Sequence, residues 1–521
     1  MAFHQLLTFV LISVLVSLSL SDDIPPNIKT WCSQTPYPQY CEDYMAHDSR
    51  SSGLKSHSDF KKLAMQITLD QAIQAKSNNR LHEPKFSNGR EKAAWADCTE
   101  LYQNTIARLN LTVNPCAMCT DYDVQTWLST ALTNLETCRT SVMELGVSDN
   151  IFSLVSNNVS NLIINALAIN KPPPKEETFD DGFPTWASPR DRKLLQMERT
   201  SLAWKADLVV AQDGSGNFKT VSEAINEVAK WNPSGVGPGR RHVVHMKAGI
   251  YQEHMQVYTP NMMFTGDGIG KTVITGSMSV GGGATTFNSA TIAVMGDGFI
   301  ARDITFQNTA GPQNHQAVAL RSGSDASVFY RCSFEGYQDT LYVHSNRQFY
   351  KQCDIYGTVD FIFGNAAAVL QDCNIYARKP IAGTVVVTAQ GRLNANQSTG
   401  IVIHNSRITA APDLKPVQRS VETYLGRPWQ LYSRTVILKT FLDSLINPAG
   451  WMEWNGTFAL NTLYYGEFQN TGPGSSTANR VKWGGYHVIT SAAEASQFTV
   501  GNFIDGNSWL PDTNVPFTSG L

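Results

Sequence analysis

Two aspartates stand out by their spacing. Asp339 follows Cys332 by seven residues and Asp360 follows Cys353 by seven, so both hold one slot in consecutive steps of 21 residues. If each step is one coil of a stacked structure, equal slots lie about 5 Å apart, the spacing of neighbouring strands. Two carboxyls that close cannot both ionise freely, and their pKa values split. One ionised and one protonated carboxyl form an acid/base pair, or a nucleophile with a partner acid. The competing reading is two independent turn aspartates, because Asp is common in turns. The apolar neighbours favour the pair: Tyr342 follows the first, and Phe361, Ile362 and Phe363 follow the second.

Other chemistries find no support. Gly-x-Ser-x-Gly does not occur, so there is no nucleophile elbow. Gly266-Asp-Gly-Ile-Gly270-Lys-Thr272 resembles half a phosphate loop, but Thr265 stands where the first glycine belongs, and the stretch reads as a turn. Cys116-Ala-Met-Cys119 has metal-knuckle spacing without a second Cys/His pair, and no histidine has a suitably spaced ligand partner. The reading therefore calls for no cofactor and no metal. With 41 basic and 44 acidic residues, the net charge of −3 excludes a general nucleic-acid binder.

The element that must position the pair is a repeat. Arg302–Phe306, Tyr330–Phe334, Lys351–Ile355, Gln371–Ile375 and Asn405–Ile408 each alternate apolar with polar residues and end on a large apolar one, at steps of 28, 21, 20 and 33. Irregular periods with β character and no helices between them predict a parallel β-helix with loops of variable length. Cys332, Cys353 and Cys373 share a slot and read as an interior stack. A disulfide between two of them is allowed by the spacing but not required.

Residues 22–170 read differently. Apolar residues recur at helical spacing around Phe60–Ala75, in Ala94–Leu109, in Val124–Cys138 and in Ile151–Ala166, which predicts an all-α four-helix bundle. Cys32 and Cys41 sit in a Pro/Tyr-rich hairpin and could pair locally, and Cys98 and Cys138 could staple two helices. Nine cysteines leave at least one unpaired within the chain.

Residues 171–195 form a linker: Lys171-Pro-Pro-Pro174, then Glu176, Glu177, Asp180 and Asp181, ending in Arg190-Asp-Arg-Lys-Leu-Leu195. The basic cluster is either solvated linker charge or a processing-protease site at Arg192–Leu195, and its place between two units favours the latter. A cut there leaves 196–521 as the mature chain. Leu6–Leu20 is apolar and, at 15 residues, fits a signal peptide ending at Ser21 better than a membrane anchor. The expected mature protein is secreted, free of the membrane and monomeric. Four sequons, at Asn110, Asn158, Asn396 and Asn455, agree with secretion. Of the charges, 17 basic and 21 acidic residues fall before Gln196, so the halves carry −4 and +1, and an acidic polymer would have to be held locally.

Five blocks in order carry a resemblance: Gly249-Ile-Tyr-Gln-Glu253, Gln316-Ala-Val-Ala-Leu320, Gly336-Tyr-Gln-Asp-Thr-Leu341, Asp360-Phe-Ile-Phe-Gly364 and Leu425-Gly-Arg-Pro-Trp429. From about Ala206 to Phe517 the chain resembles the plant pectin methylesterases. Its N-terminal part is similar, more loosely, to pectin methylesterase inhibitors through its cysteines and Gln125-Thr-Trp-Leu-Ser129. The resemblance implies a right-handed parallel β-helix that demethylates homogalacturonan in the cell wall, preceded by an inhibitor-like pro-region. It further implies Asp360 as nucleophile, Asp339 as general acid/base, Gln316 and Gln338 as oxyanion-stabilising amides, and Arg427 as the guanidinium orienting Asp360. Tyr342, Phe363, Trp429 and Trp451 would form an aromatic floor for sugar rings, though any of them could be core. A separate inhibitor protein is a further expected partner. Two rivals remain at this stage: a β-helix glycosidase of the polygalacturonase kind, since close carboxylates also suit a retaining mechanism, and a protein that acts mainly through its helical half as an inhibitor.

Overall fold

The structure is a computed structural model that describes residues 26–81, 88–147, 157–172, 179–180, 183–184, 205–231, 240–381 and 383–521. The expected signal peptide at 1–21, the basic cluster Arg192–Leu195, most of the expected linker, and Ile151 and Val155 lie outside the described residues.

From residue 208 the chain winds into three parallel sheets of 11, 8 and 7 strands. The repeat is in register: Phe306 pairs with Phe334, Phe334 with Ile355, Ile355 with Ile375 and Ile375 with Ile408. The slot inferred from the sequence is therefore a physical column, and its rings stack, Phe306 on Phe334 at 5.7 Å. Cys332, Cys353 and Cys373 are buried as free thiols. One residue before the thiol column the coil turns a corner in the left-handed region, at Arg331, Gln352, Asp372 and Asn405 (φ 49–56°). A fixed left-handed corner lets loops of any length leave the repeat without shifting its register.

Two features of this half have no counterpart in the sequence reading. A helix at Val221–Trp231 buries Val221, Ala224, Ile225 and Val228 against the first coils. It covers an end whose backbone would otherwise be a free edge. The C-terminal segment lays Phe498, Val500, Ile504 and Leu510 on the outside of the 11-stranded sheet, over Phe349, Val402 and Val436.

The seven-stranded sheet carries the site. Its strands are β1 (Met255–Val257), β2 (Ile292–Val294), β3 (Leu320–Ser322), β4 (Leu341–Val343), β5 (Ile362–Gly364), β6 (Thr384–Gln390) and β7 (Glu422–Pro428).

The N-terminal half has two short helices, α1 (Pro26–Cys32) and α2 (Pro38–Ala46), followed by four that form the bundle: α3 (His57–Leu81), α4 (Gly89–Val113), α5 (Asp121–Glu144) and α6 (Val159–Asn170). Thr120 opens α5 with a capping box, exchanging hydrogen bonds with Asp123. Disulfides join Cys32–Cys41 and Cys98–Cys138, and the Cys116–Cys119 pair closes on itself as a third. No described helix is long and apolar enough to cross a membrane.

Candidate active site

β4 and β5 pair in parallel, Leu341 opposite Ile362 and Tyr342 opposite Phe363. Asp339 and Asp360, two residues before these pairs, consequently occupy one slot in adjacent coils. Both are left-handed, at φ 63° and 52°. The turn reading thus describes their backbone correctly, since Asp tolerates this region. It does not describe their side chains, which are buried at 7% and 5% exposure.

Arg427, on β7, grips Asp360 with both arms of its fork. Nε donates to Oδ1 at 2.9 Å and Nη2 to Oδ2 at 2.6 Å. Burial raises the pKa of Asp360 above the carboxylate range, and the hydrogen bonds and charge of Arg427 pull it back. Among the described residues Asp339 has no such partner. Burial, then the charges of Asp360 and of Glu144, push it well above the ordinary value. The pair is thereby ordered, with Asp360 the first to ionise and Asp339 the holder of the proton. An arginine cannot deprotonate at working pH, so the bias is permanent.

Gln316 and Gln338 line the same cavity as the two aspartates. They belong to adjacent coils, tied by the Ala317 N–H donating to the Gln338 carbonyl at 3.2 Å. Tyr342 and Phe363 stack at 4.1 Å along the cavity wall, and Trp429 leans on Phe363 at 6.0 Å. Gly364 permits this stack: its φ is 129°, and a Cβ there would lie 2.1 Å from the Val343 carbonyl.

Trp451 does not join the aromatic floor. It is 1% exposed, stacks on Tyr465 at 4.2 Å and donates to Glu467 at 3.2 Å. Its backbone bridges Gly426, which turns the ring inward beneath β7. The cavity instead receives Trp454, three residues on, whose ring lies 4.3 Å from the Arg427 guanidinium carbon. Trp451 is therefore a support for the strand that carries Arg427. Trp451→Ala is expected to destabilise the protein by about 3–5 kcal/mol, while Trp451→Phe keeps the stack and most of the activity. Thermal unfolding and activity of the two variants check this.

The helical half covers the cleft. On α5, Thr130, Thr133, Thr137, Ser141 and Glu144 form a small polar stripe opposite the apolar face. The Thr130 hydroxyl donates to Asn346 at 2.7 Å, Asn365 donates to Thr133 at 2.9 Å, and Thr137 lies 3.0 Å from a ring nitrogen of His344. Glu144 accepts from the Thr286 N–H at 3.0 Å and from its hydroxyl at 2.9 Å, inside the cavity. Flanking it, Asp97 accepts from Thr285 at 2.6 Å and from Asn288, and burial pushes Asp97 up to about 6. Arg108 holds Asp297 through two bonds of 2.7 and 2.6 Å, and Arg347 meets Asp123 at 2.9 Å. The sequence reading missed this stripe. Its signal was small hydroxyls at helical spacing where a solvated helix face would carry Lys and Glu. What remains of the cavity is about 240 Å³, below the 300–1,000 Å³ of ordinary ligand sites.

A parallel β-helix with a cleft along one sheet and a buried carboxyl pair in it can carry hydrolysis by a carboxylate nucleophile with a partner acid. Comparison with known proteins specifies which hydrolysis. Residues 207–507 match the family "Pectinesterase", and residues 26–169 match "Plant invertase/pectin methylesterase inhibitor". The chain is 62% identical to Pectinesterase 2 of Citrus sinensis, over all of both chains. It is 59% identical to a probable pectinesterase/pectinesterase inhibitor of Arabidopsis thaliana, again over all of both. Among solved structures, the pectin methylesterase from carrot matches with 58% identity and a TM-score of 0.59, over 62% of this chain and all of that one. The Aspergillus niger enzyme matches at 29% identity and a TM-score of 0.50, over 60% of this chain and 97% of its own. The chain belongs to the pectinesterase family, and its reaction is the demethylesterification of pectin. The glycosidase alternative is not favoured.

Proposed function

We propose that Asp360 is the nucleophile of this reaction and Asp339 its general acid and base. The Asp360 carboxylate attacks the ester carbonyl of a methylated galacturonate, and the amides of Gln316 and Gln338 donate to the resulting oxyanion. As the bond between the acyl carbon and the methoxy oxygen breaks, Asp339 gives its proton to the leaving methoxide. Methanol departs and an anhydride with Asp360 remains. Ionised Asp339 then takes a proton from water, the hydroxide opens the anhydride, and a galacturonate carboxylate leaves with Asp360 restored. Arg427 acts through Asp360 and is a positioning residue. Tyr342, Phe363, Trp429 and Trp454 offer apolar faces to sugar rings. The observation that carries this reading is the fork of Arg427 on one member of the buried pair.

The pH profile follows from the order of the pair. Activity falls in acid as Asp360 takes a proton, and falls in alkali as Asp339 loses one. Both pKa values are raised by burial, so the acid limb lies above the ordinary aspartate value. Removing the helical half removes Glu144 and admits water, which moves both limbs down and keeps their order. A bell-shaped plot of kcat/KM against pH, whose alkaline limb vanishes in the residual activity of Asp339→Asn, is expected.

The helical half is an inhibitor held in cis until the linker is cut near Arg192–Leu195. This reading is supported by Glu144 occupying the cleft and by the small space left there. A tethered domain sits at an effective concentration in the millimolar range, so the uncut chain should demethylate pectin roughly 10²-fold more slowly than 196–521, and cutting should restore the rate. Equal activity of the two forms would make the bundle a folding or sorting aid. The cut protein is proposed to act on cell-wall pectin outside the cell, as a monomer, and to be open to a separate inhibitor protein of the same fold.

A further inference from the structure

The four sequons are not equivalent. Asn110, Asn158 and Asn455 are exposed. Asn396 lies in the loop between β6 and the next strand, against the helical half. The loop is a tight knot: Arg392 donates to the Gln397 carbonyl at 2.9 Å, and Gln397 Oε1 accepts the N–H groups of Leu393 and Asn394 at 2.9 and 3.1 Å. All three sequon residues are engaged from above. Gln125 of α5 donates to the Asn396 carbonyl at 2.5 Å, and the same amide donates to Leu167 of α6 at 3.2 Å. Gln397 donates to the Ser129 carbonyl at 3.1 Å, and the Ser398 N–H donates to the Ser129 hydroxyl at 3.2 Å. The Ser398 hydroxyl is buried with no hydrogen-bond partner among the described residues. The sequon thus plugs the seam between α5 and α6 at one end of the covered cleft.

We propose that Asn396 is an N-glycosylation acceptor whose glycan and the docked helical half exclude one another, so that a chain modified there carries an uncovered cleft. The modification joins Asn396 Nδ2 to the anomeric carbon of a lipid-linked oligosaccharide. The bond from that carbon to the lipid diphosphate breaks, and the Nδ2 proton leaves with the diphosphate. A glycan is bulky and strongly hydrated. Seated on a partly covered residue whose carbonyl and two successors are already bonded to α5, it would press between the loop and the helix ends. Its hydroxyls would lose water without gaining partners there. The helical half is synthesised before residue 396, so docking and transfer compete for the same loop. Whichever is faster fixes the state of that molecule. At the three exposed sequons no such conflict arises.

The proposal rests on the reading of the helical half as an inhibitor in cis, and the test separates the two. The full chain is secreted from glycosylating eukaryotic cells in three forms: wild type, Arg108→Glu with Asp123→Arg, and Gln125→Ala with Ser129→Ala. The second and third each weaken docking, at different places. Occupancy of Asn396 is read by mass spectrometry after enzymatic deglycosylation in oxygen-18-labelled water, with Ser398→Ala as the unmodifiable control. Little or no glycan on Asn396 in wild type, a several-fold rise in both weakened forms, and open-cleft activity in the Asn396-modified fraction are expected. Absence of the glycan from all three forms, equal occupancy in all three, or a modified fraction that stays inhibited would overturn the proposal. If the weakened forms are no more active than wild type, the inhibitor reading falls instead, whatever the occupancy.

Discussion

Replacing Asp360 with asparagine is expected to reduce methanol release to background, a loss on the order of 10⁴-fold or more, as for removal of other covalent nucleophiles. The amide keeps the size of the carboxyl and can still accept one bond from Arg427. It cannot attack an ester at a useful rate, and it leaves the guanidinium with no negative charge to hold. Folding should survive. Asp360 is buried beside another carboxyl, and such a pair opposes its own ionisation instead of stabilising the fold. Circular dichroism of the variant should match the wild type. An Asp360→Asn protein with near-normal turnover would return both aspartates to a purely conformational role as left-handed corner residues.

Asp339→Asn should cost less, roughly 10²–10⁴-fold, the usual worth of general acid/base catalysis. The nucleophile and its arginine stay in place, so the anhydride can still form slowly. Methoxide then leaves without a proton, and water attacks without a base. Pre-steady-state methanol release distinguishes this from simple damage. A slow burst followed by a slower steady rate indicates that both halves of the reaction are impaired. A variant with wild-type kcat and altered KM would make Asp339 a binding residue.

The contrast between the two variants also shows what the sequence made legible. The pair could be found because a β-helix converts equal spacing into contact: Asp339 and Asp360 keep the offset that Cys332 and Cys353 keep, and the register of β4 on β5 preserves it. The column from Phe306 to Ile408 was readable for the same reason, as apolar residues at one slot declare one interior. Trp451 was misplaced because the resemblance put it in the cleft, and nothing in this irregular segment of the sequence tells which ring turns inward. The bridge of Trp451 to Gly426 decides that, and it sends Trp454 to the cleft. The helix Val221–Trp231 carries an ordinary amphipathic pattern that was hidden by the β texture around it. The covering of the cleft was the least legible. Its contacts join residues far apart, Thr130 to Asn346 across 216 positions, and the stripe that makes them is a set of threonines and a glutamate with no motif. The polar seam in turn explains how the same α5 can bury both faces, apolar toward the bundle and hydroxyl-lined toward the sheet.

The central claim is that the buried, arginine-biased aspartate pair hydrolyses methyl esters of pectin and leaves the chain backbone intact. It is tested most directly by incubating residues 196–521 with methylated pectin and measuring methanol and new reducing ends in the same sample. The account predicts methanol release matched by an equal number of new carboxyl groups, with no increase in reducing ends. Reducing ends appearing without methanol, or no methanol from the folded half, would contradict it.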